Sequence, residues 1–98
     1  MIVRIVRMEF SEETLPAFLG IFDSSKQHIR NFPGCLHLEL MKDLSHPYVR
    51  YTYSRWENTA SLENYRNSSL FASVWPRTKA LFAARPQAYS LVSEEIIN

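Results

Sequence analysis

Hydrophobic and polar positions change period several times along the chain, and each change marks an element. Residues 1–9 are rich in Val and Ile and predict a first strand. Over residues 15–30, Leu15, Phe18, Leu19, Phe22 and Ile29 fall on one face of a helix. Pro16 is tolerated only in the first turn, which favours Thr14 over Ser11 as the cap. The run NFPG at 31–34 stops this helix. CLHLEL, 35–40, then alternates as a second strand, with Leu36, Leu38 and Leu40 on one face and Cys35, His37 and Glu39 on the other. KDLSHP, 42–47, is a short polar connector into a third strand, YVRYTYSRW, 48–56, so the two strands form a hairpin.

Asn58 reads as a helix cap, and Leu62 and Tyr65 begin an apolar stripe that NSS at 67–69 interrupts. A second stripe runs through Phe71, Val74, Trp75, Leu81 and Phe82. Pro76 is expected to kink or break it, since proline lacks an N–H and crowds the preceding turn. Pro86 ends it, and AYSLVS at 88–93 alternates as a fourth strand. This order, strand, helix, two strands, interrupted helix, strand, predicts an α+β chain of the ferredoxin-like (βαββαβ) type, an antiparallel sheet with helices on one face. Apolar residues on both faces of strands one and four, with Val49, Tyr51 and Tyr53 on one face of strand three, predict a covered second face. A second copy of the chain is the simplest cover, giving a homodimer.

Composition narrows the function. The 98 residues fit a single domain, 1–98, and 46% are apolar. Net charge is +1, which gives no case for nucleic acid or an anionic membrane as partner. The third strand also lacks the glycine-punctuated pattern of an RNA-recognition module. One cysteine, Cys35, excludes an intramolecular disulfide and a cysteine-based zinc site and suits a reducing cytoplasm. The N-terminal run is broken by Arg4, Arg7 and Glu9, unlike a signal peptide, and no apolar run has the length of a membrane span. The three histidines show no metal-ligand spacing. With Gly20 and Gly34 the only glycines, no phosphate loop or dinucleotide fingerprint exists. No metal or nucleotide cofactor is therefore expected.

Alternation along the third strand puts Arg50, Thr52, Ser54 and Trp56 on the helix-covered face and Tyr51, Tyr53 and Arg55 towards the partner. Trp56 either plugs the core or forms a pocket wall against a flat ligand. Arg50 either snorkels to the strand end or orients an anionic oxygen. Arg55 suits an interfacial ion pair with Glu39, Glu94 or Glu95. Tyr65 either bonds a ligand oxygen or caps the core, and Phe71 and Trp75 are core residues of the last helix, Trp75 bordering the pocket. His37, beside Glu39, is a hydrogen-bonded interface histidine or a general base, and Cys35 a small buried hydrophobe or a reactive thiol.

Three stretches carry a family resemblance: FPGC leading into strand two, YSRW ending strand three with Glu57 and Asn58 opening the next helix, and SLFASVWPRTKALF before the final strand. Together they resemble the antibiotic biosynthesis monooxygenase (ABM) domain family. That resemblance implies a dimeric α+β barrel, two ferredoxin-like sheets packed face to face, with a pocket between sheet and helices in each subunit. It also implies a cofactor-independent monooxygenase or oxidoreductase acting on a quinol-like aromatic, with Trp56 at the pocket; the residue reading adds Arg50, Thr52, Tyr65, Trp75 and Phe71 as the other pocket candidates. Haem-degrading members place an asparagine and a histidine where this chain has Val6 and Trp75, and some cofactor-independent members place an asparagine where it has Thr52. These departures favour the alternative of a non-catalytic dimer that binds a small molecule on the same fold. No catalytic residue is assigned.

Overall fold

A computed structural model describes residues 1–98. Its elements are β1 (Ile2–Glu9), α1 (Leu15–Arg30), β2 (Cys35–Lys42), β3 (Val49–Trp56), α2 (Thr59–Arg66), α3 (Ser69–Lys79) and β4 (Gln87–Val92). The four strands form one antiparallel sheet in the order β2-β3-β1-β4, the ferredoxin-like arrangement. No helix is long and apolar enough to cross a membrane.

The local chemistry differs from the sequence reading at three points. Thr14 holds the cap position before Leu15, as read, but its side chain makes no capping bond and pairs with Ser11 instead. Ser11 Oγ accepts from Thr14 N at 3.1 Å, Ser11 N donates to Thr14 Oγ1 at 3.0 Å, and Leu15 N donates to Ser11 O. This reciprocal pair holds a turn ahead of Leu15, and with Thr14 at the cap position Pro16 falls in the first turn of α1, where its missing N–H costs nothing. Pro76 lies inside α3, which continues to Lys79. Only one turn follows the proline, and its neighbours hold the turn by side-chain bonds: Arg77 Nε donates to Ser73 O and Thr78 Oγ1 to Val74 O.

The third difference is a bulge in β2 at Leu36, where the register slips between Cys35 and His37. Leu36 is thrown outward, 47% exposed, and Cys35 turns to the helix side opposite Trp56. An extra residue reverses the alternation on one side of it. Cys35, Leu38 and Leu40 therefore share the covered face, whereas unbroken alternation places Cys35 opposite the leucines.

The core has two separate clusters. Met8, Phe10, Leu15 and Phe18 form one, and Cys35, Trp56 and Leu62 the other. Both lie between sheet and helices. The opposite sheet face carries Val3, Ile5, Arg7, Glu9, His37, Glu39, Met41, Val49, Tyr51, Tyr53, Arg55, Gln87, Tyr89 and Leu91 by register, and of these only Val49 is buried. On it His37 Nε2 and Glu39 Oε1 pair at 2.9 Å. Arg55 makes no ion pair with Glu39, Glu94 or Glu95, and its Nε is buried without an acceptor.

Candidate functional site

The space between the two core clusters is a cavity of about 230 Å³. Trp56 forms its floor at the end of β3, opposite Ile2 and Cys35 in the neighbouring strands. Gly34 lets α2 settle close above it. Gly34 has a positive φ of 88°, and a Cβ there would run into the Ser61 side chain. Its carbonyl accepts Glu57 N at 2.8 Å, and Asn58 Oδ1 caps α2 by accepting from Ser61 N at 2.8 Å. Helical spacing then turns Leu62 and Tyr65 onto the indole.

Trp56 is 1% exposed and stacks on Tyr65 with ring centroids 5.0 Å apart and planes 24° from parallel. From this pair the aromatic contacts run on without a gap. Tyr65 meets Phe71 at 5.3 Å, Phe71 stacks on Trp75 at 5.7 Å, and Trp75 meets Phe82 at 5.6 Å. Phe82 reaches Phe10 at 5.6 Å, and Phe10 stacks on Phe18 at 4.4 Å. This arc joins the two core clusters around the cavity, and offset or edge contacts of this kind add rigidity beyond area burial.

The polar lining is sparse. Trp56 Nε1 donates to Ser54 Oγ at 3.0 Å, and Thr78 Oγ1 is committed to Val74 O, so those hydroxyls are occupied. The hydroxyls of Thr52 and Tyr65 have no protein partner, although both residues line the cavity. Burial, with a smaller contribution from Cys35, pushes the Tyr65 phenol up to about 12. At neutral pH it is therefore a hydrogen-bond donor and not a base. Burial also pushes the Cys35 thiol up, and Cys35 does not line the cavity. The charged lining consists of Arg4 from β1 and Arg66 from α2, with no carboxylate. Nor does any histidine line it: His37 is on the opposite sheet face. No imidazole or thiolate faces the cavity and the Tyr65 phenol is held protonated, so the lining offers no imidazole or anionic axial ligand for haem. No group of three or more His, Cys, Asp or Glu is placed to hold a metal ion.

Of the six pocket candidates read from the sequence, Trp56, Thr52, Tyr65, Trp75 and Phe71 line this cavity and Arg50 does not. Arg50 shares the strand face but sits at the far end, opposite Met8, where Nη1 donates to Pro47 O at 2.9 Å and Val49 O at 3.0 Å. Six residues of strand, about 20 Å, separate it from Trp56. Sequence reasoning missed Arg4 and Arg66. The signal for Arg4 was its phase: it alternates with Ile2, Val6 and Met8, on the side that faces the helices.

Comparison with known proteins gives a consistent result. The family model described as antibiotic biosynthesis monooxygenase matches residues 1–74, which include Arg4, Thr52, Trp56, Tyr65, Arg66 and Phe71. No curated protein matches the chain. Among solved structures, one described as antibiotic biosynthesis monooxygenase superposes with a TM-score of 0.90 at 18% identity, covering 97% of this chain and 100% of that one. A conserved protein from Methanosarcina mazei superposes with 0.89 at 16% identity, covering 96% and 94%. A protein from Mycobacterium tuberculosis gives 0.89 at 14% identity, covering 99% and 98%. At these identities the superpositions establish the shared fold.

Proposed function

The chain belongs to the antibiotic biosynthesis monooxygenase family, and from that premise we propose that it is a monooxygenase acting on a small, quinol-like aromatic held in the cavity, without a bound metal or nucleotide cofactor. The observation that carries this reading is the unbroken aromatic arc closing on a cavity with two unpartnered hydroxyls, Thr52 and Tyr65. In this reading residues 1–98 act as one domain in a reducing cytoplasm.

The substrate supplies its own electrons. An electron-rich carbanion or phenolate passes one electron to O₂, the two radicals join as a peroxide anion, a proton from solvent replaces the one lost on ionisation to give the hydroperoxide, and loss of water leaves a new carbonyl. One oxygen atom enters the product and the other leaves as water, so four electrons come from the substrate. Trp56, Tyr65, Phe71 and Trp75 hold the ring flat and keep bulk water out. The Tyr65 hydroxyl donates to the substrate oxygen as charge builds on it, and Thr52 offers a second donor. Because no carboxylate or imidazole lines the cavity, the substrate loses its proton to water before it enters, and the rate follows the substrate's own ionisation rather than a protein base.

We place a second copy on the open sheet face, as a face-to-face homodimer. Of the twelve buried residues only Val49 lies on that face, while Glu39, Met41, Gln87, Tyr89 and Leu91 on it are exposed. Tyr89 and Leu91 give it exposed apolar side chains at the β4 edge.

Oxygen uptake with dihydroxynaphthalene-type compounds tests the activity. Turnover that is lost in Trp56→Ala supports it. The lack of a protein base favours one other reading, a non-catalytic dimer that binds such compounds. That reading takes over if a broad panel quenches tryptophan emission but consumes no oxygen.

A further inference from the structure

The cavity carries a charge pattern that an aromatic pocket for neutral quinols does not need. Arg4 and Arg66 both line it, and no carboxylate does. Arg4 occupies a strand position in phase with Val6 and Met8, where an aliphatic side chain would complete the wall. Of its five N–H donors one, on Nη1, is used, bonding Ser90 Oγ at 2.8 Å. Burial holds the Arg4 guanidinium below its usual pKa, the charge of Arg66 adds to this, and Glu63 opposes it. Glu63 is itself engaged outside the cavity, accepting from Arg66 Nη1 at 3.2 Å with both side chains about half exposed. Two guanidinium groups thus face one apolar space with their repulsion only partly offset, and an anion placed between them satisfies both.

We propose that the cavity selects a planar aromatic acid of one or two rings, its carboxylate held by Arg4 and Arg66 and its ring against Trp56 and Tyr65. The guanidinium fork matches a carboxylate in plane and spacing, which a single ammonium would not. The ring count follows from the volume: about 230 Å³ is below the range of roughly 300–1,000 Å³ typical of pockets for larger ligands. Thr52 and Tyr65 then remain free to meet ring hydroxyls. This deepens the monooxygenase reading by naming the substrate class, and it rests on that reading for the site.

The test compares 2-naphthoate with its neutral isostere 2-naphthamide at neutral pH, following quenching of the two tryptophans, Trp56 and Trp75, which both line the cavity. The wild-type protein is expected to bind the acid at least about tenfold tighter, the scale of a charge-assisted hydrogen bond. Arg4→Met should erase that preference and leave the amide's affinity in place. Arg4→Lys should restore part of it, Arg66→Met should remove a smaller part, and Arg50→Met should change nothing. Should Arg4→Met fail to fold, wild-type protein still decides: acid binding must weaken with added salt and amide binding must not. Equal affinity for the two ligands, no binding of the acid, or equal loss of both in Arg4→Met overturns the proposal. Since neither ligand is oxidised, the two readings fail separately. An acid preference without oxygen uptake on hydroxylated naphthoates removes the monooxygenase; uptake on neutral quinols without an acid preference removes the clamp.

Discussion

Raising the pH through the tyrosine range should destabilise this protein through Tyr65 in particular. In the folded chain, burial beside Trp56 and Phe71, with a smaller effect from Cys35, puts the phenol at about 12; in an unfolded chain it is about 10. Below about pH 10 both states keep the proton, and the contribution of the buried neutral phenol is fully present. As pH rises from 10 towards 12 the unfolded chain ionises first, binds fewer protons than the folded one, and gains on it. Two pKa units correspond to at most about 3 kcal/mol, a large part of the roughly 5–15 kcal/mol that holds such a domain together. Urea unfolding of wild type and Tyr65→Phe at a series of pH values measures it. The stability of wild type relative to the variant should be flat up to about pH 10 and fall by about 2–3 kcal/mol by pH 12. Tyrosinate absorbance should show a late step in wild type that the variant lacks. A flat difference over that interval, or a late step that survives in Tyr65→Phe, would refute the placement of this phenol against the indole. The same high pKa is what reserves the hydroxyl as a donor at neutral pH.

Trp56→Ala should cost about 3–5 kcal/mol by chemical denaturation, because a side chain with 1% exposure leaves a hole between Phe32, Leu62 and Tyr65. Trp56→Phe should stay folded but lose the Nε1 bond to Ser54 and bind flat ligands more weakly in the quenching assay. Gly34→Ala should lower stability by about 1–3 kcal/mol, since the added Cβ meets both an unfavourable φ and Ser61. Ser61→Gly in the same chain should recover the part due to the collision and none of the part due to φ. Light scattering should give a dimer for wild type and a monomer for Tyr53→Asp, which puts a charge in the middle of the open sheet face; a wild-type monomer would remove the face-to-face pairing.

The sequence carried the fold well where a single rule governed a segment. Helix 15–30 coincides with its apolar spacing, and the break at NSS becomes the α2–α3 junction because Ser68 Oγ accepts from Phe71 N and starts a new helix. Reading failed where two rules competed. Strict alternation assigned Cys35 to the wrong side because a bulge leaves no mark in composition; only the Trp56 pairing reveals it. Proline rules gave a kink or a break at Pro76; the helix does not break there, and side-chain bonds hold the turn that follows. The site divides the same way. Aromatics declare themselves by type, so Trp56, Tyr65, Phe71 and Trp75 stood out. Arg4 did not, because a charge in a strand reads as an interruption until the register shows which face it shares. Arg50 had the right phase and the wrong end of the strand, a distinction that periodicity does not contain.

The pairing of β1 with β4 sets a late step for assembly. Ile2 and Val92 are opposite each other although ninety positions apart, whereas Lys42 and Arg50 close the β2–β3 hairpin across eight. Loop closure grows as (3/2)RT ln n, so the outer pairing costs about 2 kcal/mol more in chain entropy than the hairpin. During synthesis β1 must wait, one edge unpaired, until the last strand has emerged. Arg4 and Ala88 lie on those two strands, so the wall that closes the cavity is the last part of the molecule to form.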